Sequence, residues 1–186
     1  MNAGLAIKGH GLKKIWYTKI KTRGRKLDKT KIYLDTSVIN FYFAEDAPEK
    51  MAITKQFFDQ ELKKGGYEIF LSNLVLRELA NTKDSDRRNK LLTFAGELQA
   101  EILEPTNEVE TITEKFLKTG IIPRKVQADA IHLALAIVNR MDYILSWNFQ
   151  HLVRPTTRKA VREFAILEGY KIVEITTPEE VLHDGE

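Results

Sequence analysis

Lys31-Ile32-Tyr33-Leu34-Asp35-Thr36-Ser37 is the stretch from which the fold of this chain can be inferred. Ile, Tyr and Leu are typical of a buried strand, and Asp, Thr and Ser are typical of the loop and helix N-cap that follow one. Functional groups of open parallel sheets gather beyond the carboxyl ends of the strands, so Asp35 is well placed for chemistry. A simpler interpretation stays open, in which Asp35 or Ser37 only caps the next helix.

Further strands are predicted along the chain, and helical patterns of apolar residues fill the intervals between them. The strands are expected at Tyr67 to Leu71, Glu101 to Leu103, Tyr143 to Ser146 and Lys171 to Ile175. Two helices are expected to begin at Pro48 and at Ser72. Four more are expected at Arg87 to Leu98, Asn107 to Lys118, Lys125 to Arg140 and Thr157 to Glu168. A short apolar turn is expected at Val38 to Phe43, and a capped turn at Thr177 to Glu180. This alternation predicts a three-layer α/β/α domain with a mostly parallel central sheet of about five strands.

Charge divides the chain into a basic arm and an acidic domain. The first 31 residues hold ten Lys or Arg and one acid, Asp28, so they carry +9 of a total charge of +3, which leaves −6 for residues 32–186. We interpret residues 1–30 as a flexible basic arm, with Ile15-Trp16-Tyr17 as a docking point, and residues 31–186 as one folded domain. Such an arm can hold phosphate backbones, and it can equally be a solvated tail without a role.

Composition excludes several classes of protein. The chain has no cysteine, which rules out disulfides, thiolate zinc sites and cysteine nucleophiles. The most apolar segment, Ala128 to Val138, is interrupted by Asp129 and His132 and falls short of the roughly 18 residues that span a membrane. The short apolar opening of the chain does not resemble a signal peptide. We therefore expect a cytoplasmic protein that does not enter membranes.

Three acids and one amide occupy comparable positions in the predicted sheet. Asp35 ends the first strand, Glu78 lies on the helix after the second, Asp129 lies in the first turn of the most apolar helix, and Asn148 follows the fourth strand. Ionised carboxylates in apolar surroundings are costly unless they are paired or bound to a cation. Oxygen ligands without cysteine favour a hard ion such as Mg²⁺ or Mn²⁺, which suits phosphodiester hydrolysis. Helix caps and structural ion pairs also use buried acids, so position alone leaves both interpretations open.

Four motifs in this order resemble those of the PIN domain family, whose best-known bacterial members are VapC-type toxin ribonucleases. The motifs are Leu34-Asp35-Thr36-Ser37-Val38-Ile39, Leu76-Arg77-Glu78-Leu79, Ala128-Asp129-Ala130-Ile131-His132 and Ile144-Leu145-Ser146-Trp147-Asn148-Phe149. The resemblance covers about residues 31 to 176. It implies a parallel sheet with helices on both faces and a cleft in which Mg²⁺ or Mn²⁺ is held by carboxylates to cut RNA.

The resemblance also assigns roles and partners. Asp35, Glu78 and Asp129 would be the acidic ligands of the metal, directly or through water, and Ser37 would steady the metal-bound water. A small antitoxin that covers the cleft and a homodimer are the implied protein partners. The alternative from another class is a PIN-fold module that binds RNA or regulates without cutting, with the basic arm supplying affinity.

The fourth motif departs from the family pattern. PIN nucleases commonly present Asp after the fourth strand, whereas this chain has Asn148 in Ser146-Trp147-Asn148. An Asn oxygen can still bind a metal, but the side chain carries no charge and cannot act as a base. We therefore expect weak or Mn²⁺-favouring activity at this site, with loss of activity as the open alternative.

Several other residues receive weaker predictions. His132, one turn after Asp129, is expected to pack in its helix, with assistance to proton transfer as the alternative. His151 should border the site, and the arginines that recur every fourth residue, Arg154, Arg158 and Arg162, could line a face that binds RNA phosphates or form a solvated helix face. Trp147 is expected to pack, and the remaining loop acids, Asp46, Asp84, Asp86 and Asp142, are expected to be exposed.

Overall fold

The computed structural model describes residues 29–183, and five parallel strands form its central sheet. The strands are β1 (Thr30–Leu34), β2 (Tyr67–Ser72), β3 (Glu101–Leu103), β4 (Tyr143–Leu145) and β5 (Glu174–Thr176). Their order across the sheet is β3-β2-β1-β4-β5, and every neighbouring pair is parallel. The predicted fold class and strand number are confirmed, and the order reverses between β1 and β4, which is where ligands bind in open α/β sheets.

Helices connect the strands as the apolar periodicity predicted. They are α1 (Thr36–Phe41), α2 (Pro48–Gln56), α3 (Asn73–Ala80), α4 (Ser85–Glu97), α5 (Asn107–Thr119), α6 (Gln127–Val138), α7 (Pro155–Glu168) and α8 (Pro178–His183). After α2 the chain continues through a π-helical turn, Phe57–Glu61, and a 3₁₀ turn, Leu62–Lys64, and stops at Gly65 with a φ of +76°. Gly65 is thus one of the residues that make the predicted helix stop, because only glycine adopts that conformation readily.

Two predicted elements were wrong in detail. The expected apolar turn after β1 is the short helix α1, capped by Asp35. The last strand begins at Glu174 and not at Lys171, because its partner β4 begins only at Tyr143, the residue paired with Glu174. The arm predicted for residues 1–30 stays a prediction, since residues 1–28 lie outside the described residues and Thr30 already belongs to β1.

The helix α6 lies at the centre of the core, as its sequence indicated. Its buried residues are Ala130, His132, Leu133, Ala134, Leu135, Ala136 and Ile137. The β1 residues Ile32, Tyr33 and Leu34 are fully buried beside them. This core fixes the carboxyl ends of the strands and the first turn of α6 relative to each other. Among residues 29–183, no helix is both long and apolar enough to cross a membrane.

Candidate functional site

Asp35 lies at the carboxyl end of β1 and is only 4% exposed. Its backbone N–H donates to the Leu145 carbonyl at 3.1 Å, which aligns it with the end of β4. Its carboxylate accepts hydrogen bonds from the Ser37 backbone N–H at 2.6 Å, from the Ser37 hydroxyl and from the Ser146 hydroxyl at 2.5 Å. Asp35 is the N-cap of α1, and its role as a metal ligand stays a prediction.

The loop after β4 holds Asp35 in place through two serine hydroxyls. The Trp147 backbone N–H donates to Ser37 Oγ at 2.7 Å, and the Asn148 backbone N–H donates to Ser146 Oγ at 2.9 Å. Each hydroxyl therefore accepts from the loop and donates to the carboxylate. This arrangement connects Asp35 to the loop after β4 through neutral groups, and within residues 29–183 no Lys or Arg forms an ion pair with it.

Asp129 meets Asn148 beside this pair of strand ends. The Asn148 side-chain NH₂ donates to Asp129 Oδ1 at 3.0 Å, and the Asn148 side-chain oxygen accepts from the His151 backbone N–H at 3.0 Å. Burial raises the pKa of the Asp129 carboxyl, and the negative charge of Asp35 adds to this effect. The histidines His132 and His151 and the amide of Asn148 offset it only in part. The negative charges of Asp35 and Asp129 therefore repel each other.

Glu78 joins the site from α3, the helix that follows β2. It accepts a hydrogen bond from the Thr36 hydroxyl, and it lies 3.3 Å from Nε2 of His132. Burial by itself raises the pKa of Glu78, but the hydrogen bond and charge of His132, the Thr36 hydroxyl and the charge of Arg77 bring that pKa below its usual value. Glu78 is therefore held as an anion next to the residue that follows Asp35.

A buried chain of hydroxyls lies behind Glu78. His132 is 3% exposed, which confirms the packed interpretation, and its Nδ1 lies 2.7 Å from the Tyr33 hydroxyl. The Tyr33 hydroxyl lies 2.8 Å from Ser72 Oγ, which accepts from the Val75 backbone N–H at 3.3 Å. If each group donates to the next, His132 keeps its proton on Nε2 and points it at Glu78. This relay, consisting of Ser72, Tyr33 and His132, orients the Glu78 carboxylate.

Sequence reasoning missed the relay and the supporting hydroxyls. Thr36 and Ser146 were not assigned a role of their own from the sequence, and Ser72 was predicted only to cap the next helix, which it does. Tyr33 was assigned only to a strand. A hydroxyl immediately after a strand, next to an acid at the end of the neighbouring strand, is the signal that could have identified Ser146.

The acidic residues fit a hard divalent cation in their chemistry. Within residues 29–183, no Lys or Arg forms an ion pair with Asp35, Glu78 or Asp129, and Glu78 has an ion pair with His132. In the same part of the chain, no three or more His, Asp or Glu side chains form a group that could hold a metal ion, so the three predicted acidic ligands do not converge on one point in this structure. A Mg²⁺ or Mn²⁺ ion commonly uses one or two carboxylates and completes its shell with water, so the donor set fits such an ion.

The arginines predicted to bind RNA have different environments. Arg158 forms two hydrogen bonds of 3.0 Å with the Glu180 carboxylate, and Arg162 lies 2.7 Å from Glu174. These two ion pairs therefore connect α7 to β5 and to α8. Arg154 is exposed at the N-terminal end of α7. The RNA-binding prediction for this set accordingly depends most on Arg154.

The remaining predictions divide into confirmed and wrong. Trp147 packs as expected, at 4% exposed, with its indole N–H donating to Thr54 Oγ1 at 2.9 Å. His151 borders Asn148, as predicted. Asp142 was wrongly predicted to be merely exposed, because it accepts from the Lys31 backbone N–H at 2.9 Å and from Lys171 at 2.6 Å. Asp84 is exposed and also caps α4.

Comparisons with known proteins bear on the family and the fold of this chain. A family model described as PIN domain matches residues 32–148, a range that includes all four predicted ligands. The structure of VapBC-1 from nontypeable Haemophilus influenzae is 13% identical, covers 80% of this chain and 98% of that chain, and gives a TM-score of 0.50, which shows a shared fold. VapBC2 from Rickettsia felis, bound to a DNA fragment from their promoter, is 17% identical over 78% of this chain and 98% of that chain, with a TM-score of 0.49. No curated protein sequence matches the chain.

Proposed function

The chain belongs to the PIN domain family, and we propose that it is a metal-dependent endoribonuclease that hydrolyses RNA phosphodiester bonds. The observation that supports this most is the meeting of Asp35, Asp129 and Asn148 where the strand order reverses, with Glu78 beside Thr36. Three acids that have no Lys or Arg partner within residues 29–183 are unfavourable in a partly buried site without a ligand and favourable for a cation site. PIN nucleases use such a cleft on RNA.

In this proposal Asp35, Glu78 and Asp129 hold Mg²⁺ or Mn²⁺, directly or through water. The ion, when bound, stabilises the charge on the phosphate under attack and lowers the pKa of the attacking water. Ser37 and Ser146 keep Asp35 in one orientation, and the relay through His132 does the same for Glu78.

Asn148 has a special place among the four predicted ligands. Its NH₂ group faces Asp129, so we propose that it orients this carboxylate and relieves part of the repulsion between Asp129 and Asp35. Its oxygen accepts from the His151 backbone N–H and keeps one lone pair for a metal or a metal-bound water. The missing fourth charge leads us to expect one bound metal and a preference for Mn²⁺.

The protein partners are proposed from the resemblance to VapC-type ribonucleases. We propose that the chain is the toxin of a toxin–antitoxin pair in the cytoplasm, that a small antitoxin covers the cleft, and that the protein forms a homodimer. A basic side chain of the antitoxin inserted among Asp35, Glu78 and Asp129 would supply the ion pair that these acids lack within the described chain.

The test is cleavage of a panel of single-stranded RNAs by the purified full chain with Mn²⁺, Mg²⁺ or EDTA. Asp129→Asn is compared with Asp86→Asn, an exposed acid in the first turn of α4. We expect cleavage that needs the metal, is lost in Asp129→Asn and persists in Asp86→Asn. Folded wild-type protein that binds RNA without cutting it would contradict the proposal and favour the non-catalytic RNA-binding module, which the replacement of Asp by Asn148 makes the second candidate.

A further inference from the structure

An exposed aromatic residue directly follows Asn148 in the loop after β4. The large hydrophobic side chains that are exposed within residues 29–183 are those of Ile102, Phe149, Ile166 and Leu167. Phe149 is 50% exposed, and it is the one of these that directly follows a site residue, Asn148. Its exposed phenyl ring offers an apolar surface on which a flat group can stack.

A lysine amino group lies against the same ring. Lys50 Nζ, from α2, is 5.2 Å from the centre of the Phe149 ring, 4.8 Å from that of Phe41 and 5.6 Å from that of Trp147. These distances are in the range of cation–π contacts. In the part of the chain that the structure describes, Lys50 has no ion pair with an acid. Its charge therefore stays available to an anion at this surface.

The surface is held in place from behind. The Trp147 ring lies 6.0 Å from that of Phe149, and its indole N–H is fixed by buried Thr54. The Phe149 backbone N–H donates to the Trp147 carbonyl at 3.0 Å, and two further N–H groups of the loop donate to the Asn148 carbonyl at 3.0 Å. A ring that is anchored in this way presents its open surface without a large ordering cost on binding.

We propose that Phe149 and Lys50 form a nucleotide subsite next to the site of cleavage, in which an unpaired base stacks on Phe149 and the adjoining phosphate pairs with Lys50. This inference rests on the proposed function, because it names the form of RNA that the same site takes. An aromatic platform beside a cation matches single-stranded nucleic acid, since every base has a face for stacking and every linkage carries a charge. A base inside a duplex has both faces covered by its neighbours. The substrate is therefore single-stranded at the nucleotide beside the cut bond.

The first experiment measures RNA binding in EDTA, so that cleavage does not enter the result. Fluorescence anisotropy of a labelled ten-nucleotide RNA gives Kd for the wild type, Phe149→Leu and Lys50→Met. The matched controls are Leu167→Ala, another exposed apolar residue, and Lys55→Met, a second lysine of α2 that lies over Tyr42 at 5.7 Å. Circular dichroism verifies that each variant is folded.

We expect Phe149→Leu to raise Kd about tenfold, because base–aromatic stacking contributes on that order. Lys50→Met should reduce the slope of log Kd against log salt by about 0.7, which corresponds to one lost phosphate contact on a single strand. Both controls should bind like the wild type. An abasic nucleotide moved along the RNA should weaken wild-type binding at one position and have no further effect in Phe149→Leu.

The outcomes separate this inference from the nuclease. If the wild type cuts RNA with Mn²⁺ but Phe149→Leu binds as tightly as the wild type, the subsite is wrong and the nuclease stands. Phe149→Leu would also bind RNA as tightly as the wild type if a protein partner, and not RNA, binds to the exposed face of Phe149. If the wild type never cuts but the abasic scan and both variants behave as expected, the nuclease is wrong and the subsite stands. Equal affinity for single-stranded and duplex RNA would also overturn the subsite.

Discussion

The two ends of the central strands β1 and β4 each carry one aspartate, and the surroundings of the two are opposite. At the amino end, Asp142 accepts from the Lys31 backbone N–H and pairs with the Lys171 amino group at 2.6 Å. At the carboxyl end, Asp35 is more deeply buried, and its donors are hydroxyls and a backbone N–H. Its acidic neighbour Asp129 adds repulsion where Lys171 adds attraction.

This difference distinguishes charges that are paired within the fold from charges that, in the proposed function, bind a cation. Acids near β5 follow the pattern of Asp142, since Glu174 and Glu180 each have an arginine. Acids at the carboxyl end of β1 and on the neighbouring helices share no such partner in residues 29–183. Stability alone would favour pairing or removal of these acids, so their position next to a reversal of strand order points to a function.

The strongest test replaces one aspartate at each end of the strands by asparagine. Asp35→Asn should lower the rate of RNA cleavage at least about a hundredfold, because it removes a proposed metal ligand. Its free energy of unfolding should change by only about 1 kcal/mol, because Asn caps a helix as well as Asp does. Asp142→Asn should keep cleavage within about twofold and lower the unfolding free energy by about 1 kcal/mol or less. RNA cleavage rates and urea unfolding curves of both variants measure the contrast. Equal loss of cleavage in Asp35→Asn and Asp142→Asn would contradict this contrast between the two ends of the strands.

A second test removes one oxygen atom from the relay behind Glu78. Tyr33→Phe leaves Ser72 and Nδ1 of His132 without their partner, so we expect cleavage to fall roughly tenfold and the Mn²⁺ concentration for half-maximal rate to rise. Tyr170→Phe makes the same change at a partly buried tyrosine whose hydroxyl donates to exposed Glu108, and it should leave both values unchanged. If Tyr33→Phe lowers stability but leaves the Mn²⁺ dependence at its wild-type value, the relay is structural only.

Much of this contrast could be predicted from sequence, because it depends on local patterns. Strand β1 and the acid that ends it appear within seven residues, and Asp129 is conspicuous in an otherwise apolar helix. Parallel pairing then brings the strand ends to one edge without further information. This pairing places Asp35 and Asn148 at the same edge, whereas the position of helix α6 brings Asp129 to Asn148. The metal-binding role of these residues stays a prediction.

The partners of each acid could not be predicted, because they depend on distant contacts. Tyr33 lies 39 residues from Ser72 and 99 from His132 in the sequence, and nothing in a local pattern indicates that their side chains meet. Asp142 seemed exposed because its polar neighbourhood resembles a loop, yet Lys171 is 29 residues away. The same limit applies to Arg158, whose pairing with Glu180 is set by the packing of two helices.

Addition of Mn²⁺ tests whether the acids at the carboxyl end of β1 and on the neighbouring helices bind a cation. At ten times its Kd, an ion that binds only the folded state adds about 1.4 kcal/mol of stability, which corresponds to a rise in the unfolding temperature of about 3–6 °C. We expect this rise for the wild type and for Asp142→Asn but not for Asp129→Asn. Differential scanning fluorimetry in EDTA and in Mn²⁺ measures it. A rise of the same size in Asp129→Asn would place the ion elsewhere.

The smallest expected effect concerns an acid that already has its partner. Glu180 accepts from Arg158, from the Thr176 hydroxyl at 2.7 Å and from the Thr177 backbone N–H at 2.9 Å. Burial by itself raises its pKa, but these bonds, led by Arg158, lower the pKa of Glu180 below its usual value. A lowered folded-state pKa means that this stabilisation is complete above the unfolded-state pKa and is lost as the pH falls through the folded-state pKa.

Glu180→Gln should therefore be less stable than the wild type at pH 7, and the difference should shrink as the pH is lowered below about 4. Because the pair is partly exposed, the difference at pH 7 should be about 1 kcal/mol or less. Urea unfolding at pH 7 and at pH 3 measures it, with exposed Glu179→Gln as the control. A difference that persists unchanged at pH 3 would show that packing, and not the charge of Glu180, supplies the stability. Glu180→Gln should cleave RNA at the wild-type rate. Glu180 is already paired with Arg158, and it is not one of the acids proposed to bind a cation.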